Sequence, residues 1–439
     1  MRSSFVSLGF GCVIVGASLL AYRNWRPKVL TLPVESEPAH ESAKVERSVR
    51  AEISLAGLEL SHLGVDDSGV TSALADGATA RLTLDPELQA TTQALMKSYH
   101  FPEAATVVIE VATGKVLAYA SHLERGPQRD LCVEATAPAA SVFKVVTGAA
   151  LVEHANLSGA TQQCYSGGEQ RISERDLIDD PKRDRWCTNL TNAMGRSINT
   201  VFARLAQKHL PPQTLEATAK RFGFGDSVPF DLPTQPSALQ IPDEPLEYAR
   251  TAAGFWHSTL SPLHAAWISA TIAHGGEALR PFIVSEALDA TGRSLYRAPP
   301  TSAVRRFISH EGAKSLTEMM ESTVRDGTSF KAFHDAKRRP FLPGIAVAGK
   351  TGTLTDAQTN RYFTWFTGFA PSKPLKQGIP QIAIAVLVVN DPNWQVKANV
   401  LARDVLRAYF ATRGVAKVTK PSGKPPPRKR AAYKRRQHT

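Results

Sequence analysis

The chain has 439 residues, 43% apolar and 21% charged, so it can bury one large core or two modest ones and has an ordinary globular composition. Its formal net charge of +12 is concentrated: residues 416–439 hold nine Lys or Arg and no acid, which leaves +3 for everything else. The basic character therefore belongs to a tail, which excludes a fold organised around a basic nucleic-acid-binding face.

Phe5 to Tyr22 is an uncharged, mostly apolar run of 18 residues, about 27 Å long as a helix and near the minimum for a bilayer core. It reads as a cleaved signal peptide or as a membrane anchor. No small-x-small cleavage site precedes the polar stretch that follows, which favours an uncleaved anchor within residues 1–28. Arg23, Arg26 and Lys28 follow the run and only Arg2 precedes it, so the positive-inside count alone argues against export of the remainder. Residues 29–80 are polar, with Pro33 and Pro38, and read as a linker or short pedestal with room for a helix around Glu41 to Leu60.

Asp85-Pro86-Glu87 combines a cap, a first-turn proline and a first-turn acid, and predicts a helix to about Tyr99. Thr106 to Val111 and Val116 to Ala120 predict two strands around a Gly114 turn. Pro138 predicts the opening of a helix that runs to Leu151, is apolar nearly all round and so lies in a core. Cys164 and Cys187 sit 23 apart in a polar loop; in an exported domain they can close a disulfide, and two unpaired thiols are the other reading. Leu190 to His209 predicts one helix with Ser197-Ile198-Asn199 inside it, and Leu215 to Phe222 another. Pro229 to Pro245 is proline-rich and irregular. Further helices are predicted from Ser258 to His274, Ser309 to Val324 and Gln395 to Thr412, and strands over Val347–Thr353, Tyr362–Ala370 and Gln381–Val389. Strands near both ends around a helical middle predict an α+β domain over residues 81–415. Its mainly antiparallel sheet is built from both ends, flanked by helices, with an all-helical lobe.

Chemistry enters with Ser141-Val-Phe-Lys144. Positions i and i+3 share a helix face, so a hydroxyl and an amine are neighbours inside an apolar helix. Desolvation lowers the pKa of such a lysine and leaves part of it neutral, as a general base must be. A weak nucleophile beside an activating base is the arrangement covalent catalysis requires. A capping serine beside a snorkelling lysine is the ordinary alternative, and S-x-x-K alone is a common tetrapeptide. The ordered set Ser141-x-x-Lys144, Ser197-Ile-Asn199 and Lys350-Thr351-Gly352 is more specific.

On these residues the chain resembles the transpeptidase domain of penicillin-binding proteins, enzymes that crosslink or trim peptidoglycan. The resemblance extends to Leu82-Thr-Leu-Asp-Pro-Glu-Leu-Gln89, Thr113-Gly-Lys-Val-Leu-Ala118, Phe222-Gly-Phe-Gly225, Leu260-Ser-Pro-Leu263, Gly327-Thr328 and Trp365-Phe-Thr-Gly-Phe-Ala-Pro371, in order. It implies a serine D,D-transpeptidase that forms an acyl-enzyme on Ser141 with D-Ala-D-Ala stem peptides and with β-lactams. Lys144 takes the serine proton, Ser197 and Lys350 relay a proton to the leaving D-alanine, and Asn199, Thr351, Gly352 and Thr353 bind substrate. No metal or cofactor is called for. A class A β-lactamase needs a second base in an E-x-x-L-N segment after the second motif; the nearest string, Glu174-Arg-Asp-Leu-Ile178, precedes that motif and lacks the Asn. D,D-carboxypeptidase, and a β-lactamase or β-lactam-sensing relative with the same fold, stay open as alternatives. The expected location is the inner membrane through the N-terminal segment, with the catalytic domain in the periplasm. There the basic tail either meets anionic wall polymers or lipid headgroups rather than nucleic acid, or is simply solvated with no partner.

Overall fold

Strands Glu103–Glu110 and Ile382–Asn390 are near-continuous Val, Ile and Ala, and each is buried on both faces. They are neighbours in a five-stranded antiparallel sheet of order Ala348–Thr355, Tyr362–Ala370, Ile382–Asn390, Glu103–Glu110, Val116–Leu123. The computed structural model describes residues 55, 57–60, 63–66, 69–168, 171–356, 360–375, 377–391 and 396–415. The expected anchor, the possible linker helix except its last few residues, and the basic tail lie outside them. Among the described residues no helix is long and apolar enough to cross a membrane.

Alternation along the strands feeds two cores. Ala105, Val107, Ile109, Ala385 and Leu387 face the cluster that holds helix Pro262–Ala273. Ala104, Val108, Ile384 and Val386 face helices Pro86–Ser98 and Ala398–Thr412. The helix starts follow their sequence signals. Asp85 accepts from Leu88 N at 2.9 Å with Pro86 at the first helical position, Ser261 caps His264 N at 3.2 Å, and Ser309 caps Gly312 N at 3.0 Å. Helices Lys144–Ala155, Leu190–Arg196, Asn199–His209, Pro212–Arg221, Pro245–Ala252 and His310–Arg325 pack together as the helical lobe. The α+β architecture, with its sheet drawn from both ends of the domain, stands as expected.

Two local expectations are corrected, and two elements appear that the sequence did not announce. Pro138 does not open a helix: Ala137–Pro138 pairs with Thr259–Leu260 as a short strand, Ala140 takes a left-handed φ of 48°, and a 3₁₀ turn Ala140–Phe143 precedes the α-helix. The helix expected across residues 190–209 breaks at Ser197, whose φ of 59° and ψ of 42° end one helix before Asn199 begins the next. A second five-stranded antiparallel sheet, Gly64–Asp66, Gly69–Ala73, Thr79–Leu82, Val284–Leu288 and Ser294–Arg297, went unpredicted because its strands are short and polar on one side. The boundary expected after residue 80 falls inside one of its strands. Helix Pro245–Ala252, after the proline-rich stretch, was also not foreseen.

Cys164 and Cys187 are disulfide-bonded directly across a hairpin formed by Gln162–Tyr165 and Trp186–Asn189. The loop they close is anchored by the buried Arg204. Its guanidinium donates to Asp184 Oδ1 at 3.1 Å, Asp179 Oδ1 at 3.2 Å, Cys164 O at 2.9 Å and Asp176 O at 2.6 Å. Buried guanidinium needs this many acceptors, and the loop backbone supplies two of them. The Arg204 fork holds Asp184 down to about 2.

Candidate active site

The 3₁₀ turn places Ser141 and Lys144 three residues apart on a helix type whose i and i+3 side chains eclipse. Lys144 Nζ donates to Ser141 Oγ at 2.9 Å, to Asn199 Oδ1 at 2.7 Å and to the carbonyl of Ala253. The side chain is fully buried, 0% exposed, with the Phe202 ring centroid 5.8 Å from its nitrogen. Burial first, and the nearby charge of Lys350 second, push its pKa well below the usual lysine range. Asn199 begins its helix right after the Ser197 break and brings its side-chain oxygen to the lysine.

The left-handed Ser197 aims its hydroxyl out of the helix and toward the sheet edge. There Lys350 Nζ donates to Ser197 Oγ at 2.8 Å and to Thr351 O at 2.8 Å. Lys350 is also 0% exposed, and burial brings its pKa down to about 7. Thr351 shares a hydroxyl contact of 2.7 Å with Thr328, whose N–H donates to Gly195 O at 3.0 Å. The Gly327-Thr328 turn thereby ties the edge strand to the Ser197 helix.

Two glycines let backbones meet here. A Cβ on Gly254, where φ is 78°, would lie 2.4 Å from Ala140 O and 3.0 Å from Ser141 Cα. At Gly352 a Cβ would meet Trp365 Cδ1 at 3.2 Å and Ala140 Cβ at 3.3 Å, so the strand passes close beside the nucleophile turn. Trp365 Nε1 donates to Pro138 O at 2.9 Å and fixes that turn from below.

Ser141, Ser197, Asn199, Thr351, Gly352 and Thr353 all line one open cleft of about 1010 Å³, with Lys144 and Lys350 buried just beneath. Every residue predicted from sequence is therefore brought together. Sequence reasoning missed the Ala253 carbonyl, a main-chain group that no side-chain motif announces. It also missed the wall formed by Arg171, Ile172, Glu247, Arg250 and Trp256. Only the i, i+3 spacing of Glu247 and Arg250 gave any signal there. Among the described residues no cluster of three His, Cys, Asp or Glu side chains has metal-binding geometry.

Chemically, the arrangement can lower the proton affinity of an amine, present it to a hydroxyl, and hold a second amine beside a peptide-accepting strand edge.

Comparison with known proteins agrees with this geometry. Stage V sporulation protein D of Bacillus subtilis (strain 168) is 26% identical over 338 residues, 72% of this chain and 50% of that protein, so the match spans half of that relative. The peptidoglycan D,D-transpeptidase PbpA of Mycobacterium tuberculosis (strain H37Rv) is 27% identical over 358 residues, 72% of this chain and 68% of that one. Among solved structures, the D,D-transpeptidase domain of a peptidoglycan glycosyltransferase from Eggerthella lenta shares the fold. Its TM-score is 0.62 at 24% identity, over 76% of this chain and 83% of that one. The imipenem acyl-enzyme complex of penicillin-binding protein A from M. tuberculosis matches with a TM-score of 0.58 at 24% identity, over 76% and 80%. Residues 104–407 match the penicillin binding protein transpeptidase domain family, and the chain belongs to it.

Proposed function

We propose that the protein is a serine D,D-transpeptidase that crosslinks peptidoglycan stem peptides through an acyl-enzyme on Ser141. The observation that carries this reading is the 2.9 Å contact between Ser141 Oγ and the buried, proton-poor Lys144. Neutral Lys144 takes the hydroxyl proton as Oγ attacks the carbonyl of the penultimate D-alanine. The backbone N–H groups of Ser141 and Thr353 receive the developing oxyanion. As the C–N bond breaks, the proton passes by way of Ser197 and Lys350 to the nitrogen of the departing D-alanine. Lys350, with Thr351 and Thr353, holds the terminal carboxylate, and Gly352 gives the peptide room along the strand edge. An acceptor amine then attacks the ester carbonyl, loses its proton to the same relay, and returns Ser141 to its hydroxyl form.

Slow hydrolysis follows from the cleft's acids. Glu247 is the one carboxylate lining it among the described residues, and both its oxygens are engaged, by Arg250 at 2.5 Å and by His257 at 2.9 Å. Those contacts, His257 first, lower the Glu247 pKa and make it a weaker base toward a water at the ester, so a penicillin whose leaving group stays tethered is expected to remain bound. This supports transpeptidase over β-lactamase. By the same reading the N-terminal apolar run anchors the protein in the inner membrane with its catalytic domain in the periplasm, and the basic tail rests on anionic wall or lipid groups.

Mass spectrometry of products from a D-Ala-D-Ala muropeptide, with and without an acceptor amine, tests the proposal. Crosslinked dimer is expected. Trimmed peptide alone would replace it with D,D-carboxypeptidase, and untouched substrate would overturn it.

A further inference from the structure

The cleft wall facing the edge strand is uneven in charge. Arg250 turns Nη1 to Glu247 and both Nε and Nη2 to Ile172 O, at 3.0 and 2.6 Å. Glu247 completes its set with His257. Those three side chains neutralise one another and fix the wall. The neighbouring Arg171 is different: it lines the cleft, is exposed, and has no ion-pair partner among the described residues. Its backbone position is set by the hold of Arg250 on the adjacent Ile172 O. Around it the wall is apolar, with Ile172, Phe255 and Trp256, the last 46% exposed.

A substrate's path fixes what meets this wall. If Lys350 and Thr351 take the terminal carboxylate, the rest of the donor must run the other way along the strand, past Thr353 toward Leu354 and Thr355. Those two residues line the same cleft as Arg171 and Trp256. The side chain upstream of the scissile bond therefore arrives at an apolar surface beside Arg171, which has no ion-pair partner among the described residues.

Resting on the transpeptidase reading, we propose that Arg171 is a specificity-determining residue. It selects acyl donors whose upstream side chain is an aliphatic or aromatic stem ending in a carboxylate, over neutral and ammonium-bearing ones. The planar fork accepts a carboxylate bidentately, and the apolar wall covers the stem.

Three penicillins with one nucleus test this on the full chain: benzyl (neutral), α-carboxybenzyl and α-aminobenzyl. The measurement is the second-order rate of acylation of Ser141 in wild type and in Arg171→Gln, Arg171→Lys and Arg171→Glu. The ratio of the carboxylate to the ammonium compound is expected to fall about five- to tenfold in Arg171→Gln, the scale of a partly exposed charge contact. Arg171→Lys should retain part of the ratio, and Arg171→Glu should lower it further. A merely structural role would lower all three rates together. A ratio unchanged within about twofold across the variants, with acylation by benzylpenicillin intact, overturns the specificity inference and leaves the transpeptidase reading standing. No acylation of the wild type by any of the three overturns both.

Discussion

Lys350 Nζ donates to Ser197 Oγ at 2.8 Å across 153 residues of sequence, and this contact joins the sheet edge to the helical lobe. Both ends of it are unusual. Ser197 is left-handed, and Lys350 is a fully buried cation whose pKa lies near 7. A bistable proton site between two lobes is what a relay needs.

The nucleophile can be removed with little structural loss. Ser141→Ala leaves Lys144 with Asn199 and the Ala253 carbonyl as partners, so stability should change by less than about 1 kcal/mol. Covalent labelling by a fluorescent penicillin should vanish. Persistent label on the variant, seen on a denaturing gel, would assign the ester to another residue.

Two buried lysines give the reaction a pH window. Lys144 must be neutral, so acylation should rise with pH through its depressed pKa. Lys350 must be charged to hold a carboxylate, so kcat/KM should decline as pH climbs above about 7. The profile should be bell-shaped, and a flat one between pH 5 and 9 would contradict these assignments.

The same lysine sets a stability slope. Unfolded Lys350 keeps its proton up to about 10.4, while the folded one loses it near 7. The unfolded state thus binds more protons between these values, and stability should increase with pH across that interval. Below about 7 both states are protonated and this contribution is flat. Lys350→Met should shallow the rise in Tm between pH 7 and 9 while abolishing stem-peptide turnover.

Gly254 separates the Ala253 carbonyl from the rest of the wall at a φ of 78°. Gly254→Ala should cost about 1–3 kcal/mol, because its Cβ meets the Ala140 carbonyl. The push falls on the residue before the nucleophile, so acylation should drop by more than the stability loss alone would cause. Thermal melts and acylation rates on one preparation separate the two effects.

The disulfide and Arg204 hold the loop that carries Arg171 and Ile172. Loss of Cys164–Cys187 should cost about 3 kcal/mol on loop entropy, read as a shift of the denaturation midpoint with a dithiol reductant. Arg204→Met strands Asp184, 4% exposed, without its cation, and should cost about 3–5 kcal/mol.

The sequence made the motifs legible because each is a short run of side chains with a fixed chemical role. The structure brings Ser141, Lys144, Ser197, Asn199 and Lys350 together even though the local backbone departs from the expected one at Pro138 and at Ser197. Apolar periodicity foresaw a continuous helix through Ser197, since Leu190, Met194 and Val201 keep its phase. The break there is imposed by tertiary contacts: Gly195 packs against Ser322 and Thr328 N reaches Gly195 O. Pro138 reads as a helix opener because its fixed φ suits a first helical turn, but that φ suits a short strand equally well. The strands between residues 64 and 82 carried too little apolar alternation to be seen, and Thr79–Leu82, the one that ties them to the rest of the sheet, pairs with the distant Val284–Leu288. The wall made by Arg171, Glu247 and Arg250 is a meeting of surface-type residues, and only folding reveals that they face a cleft.

The catalytic sheet is closed by segments from opposite ends of the domain, Glu103–Leu123 against Ile382–Asn390. During synthesis, Ser141 and Lys144 emerge more than two hundred residues before the strand that carries Lys350. A nascent or truncated chain therefore has Ser141 and Lys144 but not the edge strand Ala348–Thr355 that carries Lys350. On the transpeptidase reading, acyl transfer is withheld until the last strands dock, and chains that stop before Ile382–Asn390 lack the central strand of the sheet and are expected to be inert.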